Sequence, residues 1–405
     1  MTWISFDGSN SIVHLVILTI LMPWFFADQW QSIAENSPHL STLAKNNALT
    51  AWGYFYAGCI LVASILSWII GRYADKRSVR SIYFRCSLGA TIIALGFYAT
   101  YVAGWHSYHV TSAALLLILF TVTLFLYDTM LIDSSGGQEQ TGLAKTSATG
   151  WAFGYLISGV VLLSLFLAGF FDDPLTKVTY TKSLVIVILL FGTGSILALR
   201  FWPSDLQTNV ATPGVQIGKF GIPAFLVGSF CLMDAITTLT AFVTILSKDV
   251  LGFSLRELVA QYLLFHLVAL FTTYFLPPLM LRKWDVRGSM IVLTLVWLLI
   301  CVLGAAVISL GSNKYTVSAL LFMLALMVGT TPSIIRASYA AIIPLESRAR
   351  HFSYAVVTQK TFTFVGPFLA ALLMGYFGSP LLIPLSIIPF LLVALLIFLK
   401  MKRIT

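Results

Sequence analysis

The chain has 405 residues, and only 24 Lys plus Arg and 15 Asp plus Glu among them, about 10% charged against roughly 25% in soluble domains. Apolar residues make up 59%, so too few polar side chains exist to cover a water-facing surface; a soluble enzyme, a DNA-binding domain and a disordered chain are excluded. The net charge of +9 then reads as the Lys/Arg excess of cytoplasmic loops, not as a nucleic-acid surface.

A membrane-crossing helix needs about 20 mostly apolar residues. In chain order, such runs fall at 4–27, 48–71, 83–104, 110–132, 145–170, 183–202, 220–246, 257–281, 289–310, 316–340, 352–376 and 381–400. The first run is too long for a signal-peptide core and carries Asp7, Asn10 and His14, so it reads as a retained span. The expected fold is an all-α membrane protein with twelve transmembrane helices in two six-helix pseudo-repeats. The expected domains are an N-terminal bundle over 1–202, a cytoplasmic linker over 203–219 and a C-terminal bundle over 220–405. Cys59, Cys86, Cys231 and Cys301 lie in apolar runs without CxxC spacing and read as buried thiols. His39, His106 and His109 are assigned to outer connections, and no histidine has metal-ligand spacing.

With the N-terminus inside, sixteen Lys and Arg fall in cytoplasmic connections and six outside, while Arg336 and Lys360 lie within spans. That asymmetry predicts both termini in the cytoplasm. Two turns repeat between the halves. Arg72-x-x-Asp75-x-Arg77 follows span two, and Arg282-x-x-Asp285-x-Arg287 follows span eight. A second echo sets Asp7-x-x-Asn10 in span one against Asp234-x-x-Thr237 in span seven. Two parallel six-span repeats are the plan of major facilitator transporters.

The turn Gly71-Arg72-Tyr73-Ala74-Asp75-Lys76-Arg77 resembles the loop signature of that superfamily. Phe6-Asp7-Gly8-Ser9-Asn10-Ser11 resembles the opening motif of its vacuolar-effluxer-like branch, the autophagy-linked vacuolar amino-acid effluxers and their bacterial relatives. Further matches are Tyr127-Asp128 with Asp133, the Gly150–Tyr155 segment, Met233-Asp234, Arg336, and Lys360 with Gly366-Pro367. The chain departs from the branch at Gly8, His14, Asp128 and Pro332. The resemblance implies the major facilitator fold, transport, and amino acids or related metabolites as substrate.

Charged groups at membrane depth cost about 2.5–3.5 kcal/mol each on insertion scales, so they are expected to face a cavity. Asp7, Asn10, Ser11 and His14 share one face of an ideal helix. Asn10 is expected to line the cavity. Asp7 either does so too or complements the helix N-terminus, and His14 either carries a proton or bonds between helices. Asp234, followed by Thr237, is a mid-span carboxylate expected to bind substrate or a proton. Arg336 is a cavity or gate cation, and Lys360 beside Gln359 is its counterpart in span eleven. Trp151 and Tyr155 either stack on substrate or anchor the core. His266 is a proton carrier or a satisfied core histidine. Asp128 and Asp133 close span four, and Asp128 is expected to pair with Arg336. The two Arg/Asp turns read as gate elements or as positive-inside anchors.

No phosphate-cradling loop and no catalytic or metal constellation stands out, so neither enzyme activity nor a cofactor is expected. The predicted activity is secondary active transport of a small zwitterionic or anionic metabolite by alternating access, coupled to protons through Asp7, Asp234, His14 or His266. Organic-anion, siderophore or drug transport is the alternative. Expected partners are a small molecule, protons and the bilayer, with no nucleic acid. A monomer suffices, and the bacterial inner membrane is the expected location.

Overall fold

The computed structural model describes residues 2–27, 48–74, 79–129, 140–171, 177–200, 221–310, 314–342 and 363–401. All secondary structure among them is helical, as hydrocarbon demands: a helix satisfies its backbone groups within the segment. The helices are α1 (Thr2–Ile12), which runs on into a π-helical segment (Val13–Leu21), α2 (Ala48–Ala74), α3 (Val79–Ala103), α4 (His106–Thr129), α5 (Gln140–Leu167) and α6 (Lys177–Arg200). The second half contributes α7 (Gly221–Asp249), α8 (Leu255–Ser309), α9 (Lys314–Val328), α10 (Thr330–Ile342), α11 (Val365–Phe377) and α12 (Leu382–Lys400). Among the described residues, eight helical stretches are long and apolar enough to cross a membrane, and three shorter apolar helices accompany them. The protein is an integral, multi-pass membrane protein. The 203–219 linker lies outside the described residues.

Helix boundaries and spans do not map one to one. α8 holds 55 residues, which at about 1.5 Å per residue is more than twice the ~30 Å hydrocarbon thickness. It breaks at Asp285, whose φ of 54° and ψ of −176° leave the helical region. The chain turns back there, because Lys314, just past the far end of α8, meets Glu257 at its start with N···O 2.7 Å. Span ten is interrupted at Gly329, between α9 and α10. In span eleven, α11 starts at Val365, and its N-cap residue Phe364 supplies no side-chain cap.

Two close helix pairs bring early helices against late ones. α5 packs along α8, with the Tyr155 and His266 rings 5.4 Å apart and Arg256 5.5 Å over the Phe166 ring. α2 packs on α11 closely enough that a Cβ on Gly53 would stand 2.6 Å from the Ala371 Cβ. Small residues are what permit such approach between membrane helices. Exposed Trp105, Tyr108, Tyr315, Tyr376 and Phe377 sit at helix ends, where amphipathic rings favour the headgroup level.

Two histidines assigned to connections, His106 and His109, lie in α4. His109 lies inside α4, not in a connection, and is 1% exposed. Its Nδ1 is 3.0 Å from the Phe97 carbonyl, and its ring stacks on Phe97 at 4.1 Å. The apolar window began span four at residue 110, but the polar first turn of the helix starts at His106.

Candidate functional site

Two helix irregularities frame the site, the π segment of span one and the break at Gly329, and α11 begins beside it. Irregular backbone at membrane depth occurs where it lines a cavity or is buried in protein, and π segments are frequent at functional sites.

The π segment overturns the expected shared face in span one. Ideal α-helical spacing aligns Asn10 with His14, but i→i+5 bonding begins between them and changes the phase. Asn10 is 1% exposed, and its Oδ1 accepts from the Tyr83 hydroxyl of α3 at 3.5 Å. Asn10 is therefore turned toward α3. Asp7 is buried as well, whereas His14 is exposed. His14 comes within electrostatic reach of His266 on α8. The His266 Nδ1 is 2.8 Å from the Tyr262 carbonyl, which can only accept, so Nδ1 carries the hydrogen.

Asp234 is wholly buried in α7. Its Oδ1 accepts from the Gly366 N–H at 3.0 Å, so span seven caps the N-terminus of α11 from outside. That N–H is one of the four a helix start leaves unpaired, and a carboxylate there also meets the positive end of the helix dipole. The other oxygen, Oδ2, has no partner among the described residues. Nor does the hydroxyl of wholly buried Thr238, one turn further along. Both converge on Gly366: a Cβ there would lie 2.1 Å from Thr238 Oγ1 and 2.5 Å from Asp234 Oδ2. Sequence reading named Thr237, which is only half-buried; the neighbour at the site is Thr238.

Arg336 of α10 reaches across to the N-terminal half. Its guanidinium stands 5.2 Å from the Trp151 ring centroid in α5, a cation–π geometry. The Trp151 indole N–H is buried and has no partner among the described residues. Tyr155 follows one turn on, its ring 6.1 Å from that of Trp151 and edge-on to His266. Gly329 at the span-ten break lets the Tyr155 ring approach; a Cβ there would come within 2.7 Å of it. The break is pinned by a residue that sequence reading missed. Trp297 of α8, wholly buried, donates its Nε1–H to Thr331 Oγ1 at 2.9 Å.

The second Arg/Asp turn is held by local bonds and by the end of α12. Asp285 Oδ1 accepts from the Gly288 N–H at 2.7 Å and caps the helix that follows. Arg287 donates from Nε to the Phe398 carbonyl at 3.2 Å and from Nη2 to the Leu399 carbonyl at 2.6 Å, covering the C-terminus of α12. Arg282 is exposed. The side chains of Arg72, Asp75, Arg77, Asp128, Asp133, Gln359 and Lys360 lie outside the described residues, and with them the expected Asp128–Arg336 pair. Among the described residues no group of three or more His, Cys, Asp or Glu is placed to hold a metal ion, and the four cysteines are free thiols.

The architecture is that of a membrane protein with the major facilitator fold. A solved structure of the human organic anion transporter MFSD10 (TETRAN) superposes with a TM-score of 0.67, covering 98% of this chain and 97% of that one at 11% identity. The E. coli fucose:proton symporter FucP gives 0.62 over 99% and 98% at 11% identity. A bacterial homologue of the iron transporter ferroportin gives 0.60 over 98% and 97% at 14% identity. At such identities the likeness establishes the fold alone. Residues 221–404 match the model of the family described as Vacuole effluxer Atg22 like. Autophagy-related protein 22 of Vanderwaltozyma polyspora is 26% identical over 158 residues, 38% of this chain and 30% of that protein. The resemblance to the vacuolar-effluxer-like branch is thus borne out. The family and the fold relatives are transporters by name, not enzymes.

Proposed function

We propose that this chain is a secondary active transporter that moves a small zwitterionic or anionic metabolite by alternating access. The halves are residues 1–202 and 220–405, joined by the 203–219 linker, with both termini in the cytoplasm. The observation that carries the reading is the Arg336–Trp151 pair, which spans the two halves and offers a guanidinium and a buried, unsatisfied indole N–H. Both groups are donors only, and a carboxylate can accept from both. Binding there engages both halves at once, as alternating access requires.

At the other end of the charge ledger, Asp234 Oδ2 has no positive partner among the described residues. A buried carboxylate left so costs several kcal/mol, which a proton or a substrate ammonium group relieves. Proton coupling rests on Asp234 and on the His14–His266 pair. Asp7 remains a candidate proton site. Lys360 and Gln359 remain candidate substrate residues in span eleven; Asp75, Arg77, Asp128 and Asp133 remain candidate gates. Amino acids and related metabolites are the preferred class because of the Atg22-like family. Organic anions are the second reading, favoured by the same donor pair and by the fold likeness to an organic anion transporter. The relative named above is a yeast autophagy-related protein and lends no support to a bacterial inner membrane.

A thermal-shift screen of the purified protein against amino acids, organic acids and cationic drugs tests the reading. Stabilisation by a carboxylate compound that vanishes in Arg336→Ala supports it. Stabilisation only by cationic drugs, retained in Arg336→Ala, overturns it.

A further inference from the structure

Span seven meets spans one and two along one ridge, on the membrane side away from the Asp285 turn. Trp52 of α2 donates Nε1–H to the Ala241 carbonyl at 2.6 Å. Lys248 lies 4.6 Å over the Trp24 ring. Between them, Thr244 donates its hydroxyl to the Thr19 carbonyl of the π segment. Thr19 lies in the last part of the π segment, so this bond ties span seven to the irregular stretch of span one.

The directions of the bonds follow from the chemistry. Thr244 has one hydrogen, and it goes to a carbonyl that can only accept. The Tyr262 hydroxyl, 2.9 Å away on α8, must therefore donate to Thr244 Oγ1. The result is an ordered chain across three spans, Tyr262 to Thr244 to Thr19, of the kind in which each bond polarises the next. Other groups of its two end residues make further bonds. The Thr19 hydroxyl donates to the His14 carbonyl at 2.8 Å, five residues back, inside the π segment. The Tyr262 carbonyl holds His266 Nδ1. The bond that closes this face thus shares its residues with the backbone that presents His14 and His266.

Resting on the alternating-access reading above, we propose that Thr244, oriented by Tyr262 and received by the Thr19 carbonyl of the π segment, is the latch that holds the outer face closed. The π segment of span one is the part that yields when it opens. Without Thr244 on the Thr19 carbonyl, the segment loses a bond from the opposite half and keeps only its own. A change of register then moves His14 relative to His266, since each residue of register turns an α-helix by about 100°.

The test is a distance measurement between spin labels on cysteines introduced at exposed Tyr108 of α4 and exposed Tyr315 of α9, one in each half. The background has the four native cysteines replaced, and the full chain is held in lipid nanodiscs without ligand. Thr244→Val keeps the shape and removes the bond. It is expected to raise the ratio of long-distance to short-distance populations about 2- to 10-fold, as loss of one net hydrogen bond would. Tyr262→Phe, which removes the hydroxyl that donates to Thr244, is expected to move it the same way. Thr240→Val, whose hydroxyl bonds only within its own helix, leaves it unchanged. Unaltered distributions in Thr244→Val and Tyr262→Phe overturn the latch. Opening by these variants in a protein that transports none of the screened compounds leaves the latch standing and removes the transport reading instead.

Discussion

Replacing Gly366 by Ala is expected to be among the most damaging single-methyl additions in the protein. The new Cβ would stand 2.1 Å from Thr238 Oγ1 and 2.5 Å from Asp234 Oδ2, both on wholly buried side chains. Overpacking of that kind costs about 1–3 kcal/mol. Relief requires α11 to back away from α7, which also breaks the Gly366 N–H bond to Asp234 Oδ1; a hydrogen bond to a charged group contributes about 1.5–3 kcal/mol. Together the loss is about 3–5 kcal/mol. The assay is unfolding of the purified protein in detergent, compared with Gly58→Ala and Gly96→Ala, where a Cβ meets nothing within 4 Å. Those helix-interior controls are expected to gain up to about 1 kcal/mol. Thr238→Ala combined with Gly366→Ala should recover part of the loss, because the nearest obstacle is gone and contacting sites are not additive. A Gly366→Ala protein as stable as the Gly58→Ala control would refute the reasoning that Asp234 caps α11 at this point.

Three further outcomes are expected. Arg287→Ala removes both donors from the Phe398 and Leu399 carbonyls and should lower stability by about 1–3 kcal/mol, with partial recovery in Arg287→Lys; equal stability of the alanine variant and the parent would contradict it. Asp285→Ala loses the cap on Gly288 while keeping a positive φ, so it should cost more than Asp285→Asn, which tolerates that conformation; the melting temperatures of the pair decide. Trp297→Phe removes the donor to Thr331 at the span-ten break and is expected to cost about 1 kcal/mol and to weaken binding of any carboxylate ligand found in the screen.

The sequence carries the chemistry of this site better than its geometry. Asp234 and Arg336 stand out because a charge inside an apolar run has few innocent explanations. Their partners do not stand out: Gly366 is 132 residues from Asp234, and nothing in either segment announces that a backbone N–H will meet a carboxylate. Thr237 and Thr238 are three and four positions from Asp234, both neighbours on an ideal helix, so periodicity alone cannot choose between them. The π segment is the hardest feature to read. Its residues are ordinary apolar ones, and one shift in bonding turns Asn10 inward and leaves His14 exposed although the spacing joins them. The Arg282–Arg287 turn was legible as a turn, and the positive φ of Asp285 suits that residue type. Its use as a local cap and as a clamp on α12 depends on tertiary placement that a single segment does not encode.

The central claim is that a carboxylate-bearing metabolite is carried between Trp151 and Arg336, across the two halves. Counterflow into liposomes tests it most directly. Vesicles holding the protein are preloaded with one unlabelled compound, an amino acid or a dicarboxylate, and uptake of the same labelled compound is followed. The account predicts transient accumulation of at least one such compound, abolished in Arg336→Ala and strongly reduced in Trp151→Ala. Accumulation that persists in both variants, or that occurs only with cationic drugs, would contradict it.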